Sequence, residues 1–237
     1  MASECGRNCI HCLRKLCTRS IPIFASLEYS QLEKIAGMTE HIAYPKGGVI
    51  VHEGETPDFV AIVSAGSAKA VKYTVDGREQ ILYLFSEGDF FGEQNLLFSR
   101  PAAYSVTALE PAELCLLRKA AFEALLADNP DISNKIIGEL GWRLAHLENA
   151  VQNMGVRSVE ARIASVLLEL AAKYGADDIL HLPFSREGLA SYIGIARETV
   201  SRKLGQLEND RIIRSEGNKT IHILNRAALG DIAGLSI

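Results

Sequence analysis

The apolar residues of this chain change their period once. Up to Leu117 they come in short runs punctuated by Gly47, Gly48, Gly54, Gly66, Gly77, Gly88 and Gly92, and beyond Pro130 they recur every three or four residues. Short apolar runs bury themselves as strands, whereas a three-four spacing lays one stripe along a helix. The two patterns in series predict an α+β chain whose strands precede its helices. The runs at 49–51, 59–63, 68–73, 80–85, around Val106 and at 114–117 are the expected strands. Asp76-Gly77 between two of them is a hairpin turn signal, because both turn positions need positive φ. Many short strands at this spacing favour a β-roll or jelly roll over an irregular β-rich domain.

After Pro130 the residues Ile137, Leu140, Leu144, Leu147, Val151 and Met154 alternate spacings of three and four, a seam of nearly three heptads. Glu139, Arg143, His146, Glu148 and Gln152 are expected on the polar remainder of that helix surface. Such a stripe is either the buried face of an ordinary helix or a dimer interface, and its narrowness and length favour the dimer. A second helix follows from Val159 to Tyr174.

Near the C-terminus, Ser185 caps a helix carrying Leu189, Ala190 and Ile193, Gly194 supplies a left-handed turn, and a further helix runs from Ala196 to about Asn209. With Val200 packed between them, these two helices meet the requirements of a helix-turn-helix. Arg197, Glu198, Ser201 and Arg202 fall at the start of the second helix, where side chains reach base edges, with Lys203 beside them. Lys203, Arg211 and Lys219 are candidates for phosphate contacts. Gly217-Asn218 between two apolar runs predicts a two-stranded wing. From Ser185 to Lys219 basic residues outnumber acidic ones seven to five, against a net charge of −4 for the whole chain. A helical unit with no role in DNA binding is the alternative reading.

The expected organisation is a cysteine-rich segment over 1–20, a β-roll sensor over 21–130, a dimerisation helix over 131–157 and a winged helix-turn-helix over 158–237. Nothing among the 237 residues has the length and apolarity of a membrane span, and no signal peptide is visible, so a cytoplasmic protein is expected. No nucleophile elbow, phosphate-binding loop or metalloprotease pattern appears, so an enzyme is not expected.

Four of the five cysteines, Cys5, Cys9, Cys12 and Cys17, lie within thirteen residues, and Cys115 stands alone. Thiols that converge on one centre come from a short segment that wraps it, so this spacing reads as a metal or redox site. An iron-sulfur cluster, a structural zinc ion and a reversible disulfide switch all suit clustered thiols in a reducing compartment. Haem, with His11, His41, His52 or Met38 as axial ligands, is a further alternative, as is a small organic effector with no metal at all.

The order of parts resembles the Crp/Fnr family of bacterial transcription regulators from Ile21 to the C-terminus. Gly88-Asp89-Phe90-Phe91-Gly92-Glu93 is similar to that family's effector-domain signature, and Arg197-Glu198-Thr199-Val200-Ser201-Arg202 to its recognition helix. In the cyclic-nucleotide branch a later Arg-Ser or Arg-Thr pair binds the phosphate. Here Ala102-Ala103-Tyr104 stands in that region, and without the guanidinium no cyclic AMP binding is expected. The cysteines resemble those of the FNR-type, oxygen-sensing branch. That resemblance implies a [4Fe–4S] cluster on Cys9, Cys12, Cys17 and Cys115, the last following Ala108-Leu109-Glu110 at the family's offset. Cys5 matches a further cysteine of the family that is not a ligand. The Cys12 to Cys17 interval is one residue shorter than the family's, so either the loop absorbs the deletion or Cys5 replaces Cys17 in the ligand set. The implied partners are a second copy of the chain, palindromic double-stranded DNA with a TTGAT-like or TGTGA-like half-site, and RNA polymerase. On this reading the intact cluster favours the dimer, and its loss to oxygen weakens DNA binding.

Overall fold

The computed structural model describes Phe24, residues 35–156 and residues 158–234. Its first half runs β1 (Thr39–Tyr44), β2 (Val49–Val51), β3 (Phe59–Ala65), β4 (Ala68–Tyr73), β5 (Glu79–Phe85), β6 (Phe90–Phe91), α1 (Glu93–Phe98), β7 (Ser105–Ala108), β8 (Ala112–Arg118) and α2 (Lys119–Asp128). Two four-stranded sheets form, in the orders β1-β8-β3-β6 and β2-β7-β4-β5. The second half comprises α3 (Pro130–Val156), α4 (Val159–Tyr174), β9 (Gly175–Ala176), β10 (Ile179–His181), α5 (Arg186–Ile193), α6 (Arg197–Asn209), β11 (Ile213–Glu216), β12 (Thr220–Ile223) and α7 (Arg226–Ala233). Its strands make a small sheet in the order β11-β12-β10-β9. The mixed β-roll and helical architecture is the one expected.

The described residues group into two compact units. One contains the chain up to Lys72 together with Leu82–Arg143, and the other contains Tyr73–Ile81 and the chain from Leu144 onward.

Alternation along β3 and β8 organises the first unit, because successive side chains of a strand point to opposite faces. Ala61, Val63, Leu114 and Leu116 enter one apolar cluster, which also holds Val51, Ala70, Phe85, Phe91 and Val106 from the other strands. Val60, Ile62, Cys115 and Leu117 enter a second cluster on the opposite face. There they pack with Phe24, Ile35, Phe122 and Leu125, and with Ile132 and Ile136 from the first turns of α3. A strand buried on both faces reads as a continuous apolar run, which is what Leu114-Cys115-Leu116-Leu117 is.

α3 presents its residues in a way that the sequence pattern did not anticipate at one position. Ile137 and Leu144 of the seam are 65% and 58% exposed and Leu147 is 36% exposed, whereas Leu140 packs half-buried on the second cluster. The side chains of Val151 and Met154 lie outside the described ones. Arg143, expected on the polar surface, is instead buried at 4% exposure. Its Nη1 donates to Glu93 Oε1 at 2.8 Å, its Nη2 to the Phe90 carbonyl at 2.7 Å and its Nε to Glu139 Oε1 at 3.0 Å. The guanidinium also lies over the rings of Phe85 and Phe90, 5.5 and 5.1 Å from their centroids. A charge leaves water only when its donors are met, and here each guanidinium nitrogen has an acceptor.

Glu93 reaches this partner from the first position of α1, after Gly92 at φ 93°. A Cβ at residue 92 would come within 2.7 Å of the Phe59 carbonyl oxygen, so only glycine lets the chain pass β3 this closely. Truncating one member of a buried pair strands the other. Arg143→Ala is therefore expected to cost ~3–5 kcal/mol in urea unfolding, whereas the double variant Glu93→Leu, Arg143→Met should recover most of that loss.

Candidate nucleic-acid interface and sensor site

α5 and α6 are built as a helix-turn-helix by local chemistry. Ser185 Oγ accepts from the Gly188 backbone N–H at 3.3 Å and caps α5. Gly194 ends α5 in the left-handed conformation, φ 74°, and its N–H donates to the Ala190 carbonyl. Leu189, Ala190 and Ile193 of α5 and Val200, Leu204 and Leu207 of α6 are all buried, which pins the two helices together. With Val200 and Leu204 facing inward, the neighbouring turn of α6 turns Arg197, Glu198, Ser201 and Arg202 outward, and all four are exposed. Basic and hydrogen-bonding side chains at the exposed start of a helix of this kind suit base edges in the major groove.

Lys203 stands apart from that group. It is half-buried, and its Nζ lies 3.0 Å from Glu160 Oε2 of α4. A phosphate contact by Lys203 requires that pair to open. Arg211 and Lys219 are exposed. The wing is β11 and β12, joined across Gly217-Asn218, with Ile213 paired to Ile223 and Glu216 to Thr220. His222 Nε2 and Glu216 Oε2 close it at 2.9 Å, and the imidazole is the main reason that the Glu216 carboxyl sits below its usual pKa. The sequence pattern missed α7, which Asn225 caps through its side chain and which packs on α4. Asn225 followed three residues later by the run Ala228-Leu229 was the available signal.

Inside the β-roll, Glu93 is fully buried, and burial pushes its carboxyl up in pKa against the opposing pull of Arg143. Its Oε1 accepts from Arg143, while its Oε2 has no hydrogen-bond partner. Tyr104 and Tyr83 meet edge to face 5.8 Å apart nearby. Burial raises the Tyr104 phenol well above its ordinary value, with Glu93 adding to the effect. Ala102 is buried and Ala103 exposed, and Arg100 sits exposed in the preceding loop.

Of the five cysteines only Cys115 is among the described residues, where it is buried. Cys5, Cys9, Cys12 and Cys17 lie outside them, as does His11. Among the described residues no group of three or more metal-ligating side chains comes together. Of the candidate haem ligands, Met38 is exposed, His52 is exposed, and His41 faces Cys115 with Nδ1 3.4 Å from Sγ. No helix among the described residues is long and apolar enough to cross a membrane.

Comparison with known proteins follows this division. Residues 41–129 match the family model of the cyclic nucleotide-binding domain, and residues 161–232 match that of the Crp-like helix-turn-helix domain. The chain is 31% identical over 218 residues to the probable transcriptional regulator flp of Lacticaseibacillus casei, covering 92% of this chain and 98% of that one. It is 29% identical to the transcriptional activator protein FnrL of Cereibacter sphaeroides, over 90% of this chain and 88% of that one. With the cAMP-activated global transcriptional regulator CRP of Pasteurella multocida it shares 32% identity over 75% of this chain and 87% of that one. The solved structure of FixK2 from Bradyrhizobium japonicum superposes with a TM-score of 0.74 at 28% identity, covering 82% of this chain and 96% of that one. Similarity that runs through both the β-roll and the helix-turn-helix makes the chain a DNA-binding transcription regulator of the bacterial Crp/Fnr family and not an enzyme.

Proposed function

We propose that this chain is a cytoplasmic, dimeric regulator that senses oxygen or redox state through a [4Fe–4S] cluster held by Cys9, Cys12, Cys17 and Cys115, and that binds palindromic promoter DNA. The observation that carries this reading is the position of Cys115. It lies on the outer face of its sheet, in one apolar cluster with Phe24 and with Ile132 and Ile136 of α3. Phe24 follows Cys17 by seven residues, a span of roughly 25 Å when extended, so the N-terminal thiols have the reach to meet Cys115. Four thiolates are the donors such a cluster takes, and Cys115, the one of the four among the described residues, is a buried sulfur with an imidazole at hydrogen-bond distance. When bound, such a cluster supplies a reaction with oxygen that thiols alone lack. Four sulfur bonds would tie residues 9–17 to β8, beside the start of α3. Their loss would release that tie and weaken pairing along Ile137, Leu140, Leu144, Leu147, Val151 and Met154. Cys5 is the substitute ligand for Cys17.

Two copies paired along α3 would set two copies of α6 one helical turn of DNA apart, matching a palindrome. Arg202 is the candidate for bidentate contact with guanine and Glu198 for accepting from cytosine. Arg197 and Ser201 complete the reading set, and RNA polymerase is the further partner. The exposure of Ile137 and Leu144 supports the dimer, since apolar side chains in a row on a helix seek a partner.

A second reading has one specific observation in its favour. Glu93 Oε2 is buried without a partner, and a hydroxyl-bearing organic effector would satisfy it. Cyclic AMP suits this site poorly, because Ala102 and Ala103 offer its phosphate no guanidinium.

Anaerobic purification is expected to give a coloured protein containing iron and sulfide, with visible absorption that bleaches in air. Cys115→Ser should abolish the colour. A colourless anaerobic protein without iron rules the cluster out. Arg202→Ala is expected to weaken specific binding by ~1–3 kcal/mol in a gel-shift titration, with little change on random DNA. Leu144→Asp, which puts a charge in the seam, should shift the chain to monomer in sedimentation and lower DNA affinity in parallel.

A further inference from the structure

β1 and β8 are antiparallel neighbours, and their register sets His41 directly opposite Cys115. Residues that face each other in such a pair carry their side chains on the same side of the sheet, with Cβ atoms ~4.5–5.5 Å apart. Here the two side chains meet, with His41 Nδ1 3.4 Å from Cys115 Sγ across a sequence separation of 74. Cys115 is 3% exposed and stands among Phe24, Ile35, Leu117 and Phe122. An anionic sulfur in such surroundings has little to stabilise it unless a donor is built in beside it. His41 is half-buried at the edge strand of the sheet, so its ring lies between that apolar cluster and solvent.

We infer that His41 is a positioning residue of the cysteine centre: its Nδ1–H donates to the Cys115 sulfur when that sulfur is a thiolate ligand, and this sets how firmly the β-roll end of the centre is held. The inference rests on the reading of Cys115 as a ligand. A donor to a ligating sulfur draws electron density away from it, makes oxidation harder and fixes the direction of the ligand bond. With a thiol in place of the thiolate, the Sγ–H donates across the same 3.4 Å to an Nδ1 that carries no proton. β1 was invisible as a strand in the sequence, and the pairing that makes this contact is set by sheet register alone.

Two measurements test the role. In the chain carrying Cys5→Ser, Cys9→Ser, Cys12→Ser and Cys17→Ser, Cys115 is the one remaining thiol, and its S–H stretching band reports its hydrogen bond. His41→Leu is expected to move that band to higher frequency. His41→Asn, whose amide stands near the Nδ1 position, should hold it close to the parent's. In the anaerobically purified chain with all cysteines present, His41→Leu is expected to bleach in air roughly tenfold faster than the parent, and His41→Asn to restore most of the difference. His41→Phe serves as a second apolar variant if the leucine variant does not fold. An S–H band unmoved by both apolar variants overturns the inference, and so does an unchanged bleaching rate in coloured variants. A parent chain that purifies without iron overturns the iron-sulfur reading and this inference with it. The two failures are told apart because colour is scored on the parent and the rate on the variants.

Discussion

A guanidinium inside the β-roll governs how the first unit is held together. Arg143 belongs to α3, yet its partners come from β6, α1 and its own helix, so the helix cannot turn about its axis without leaving Glu93 charged and alone in the interior. Helical geometry then dictates the rest. With residue 143 facing the sheets, residue 144 points about 100° away, and the exposed face of Ile137 and Leu144 is fixed as a consequence. The exposure of Ile137, on the same helix as Arg143, is thus set from within one chain.

β8 is the other element on which much depends. Its alternation sends Leu114 and Leu116 into the space between the sheets and Cys115 and Leu117 to the opposite side, under α2 and the start of α3. A one-residue slip would exchange the two sets and bury Cys115 between the sheets, away from Phe24 and Ile136. The placement of this thiol and the packing of the strand are therefore a single constraint.

Much of this was legible in the sequence, and the exceptions have physical causes. The strand over 68–73, the helix over 159–174 and the helix-turn-helix appeared where apolar spacing, Ser185 and Gly194 put them, because those signals are local. β1 was missed because its sequence Thr-Glu-His-Ile-Ala-Tyr lacks an apolar alternation: an edge strand with Ile42 exposed does not need one. Arg143 looked like surface because a charged residue on an amphipathic helix usually is, and its acceptor Glu93 stands fifty residues away. The contact between His41 and Cys115 is of the same kind, fixed by register. Contacts between distant residues leave no mark on a local pattern.

The pair between Lys203 and Glu160 bears on how salt acts upon this regulator. DNA binding releases condensed counterions in proportion to the phosphates that a protein neutralises, and each such contact steepens the salt dependence by about 0.9 in a logarithmic plot. A lysine already matched with a carboxylate at 3.0 Å brings no net charge to that exchange. In the proposed complex the salt dependence would follow Arg211 and Lys219, the remaining candidates for phosphate contacts, while Glu160 would act from another helix as an internal counterion to Lys203.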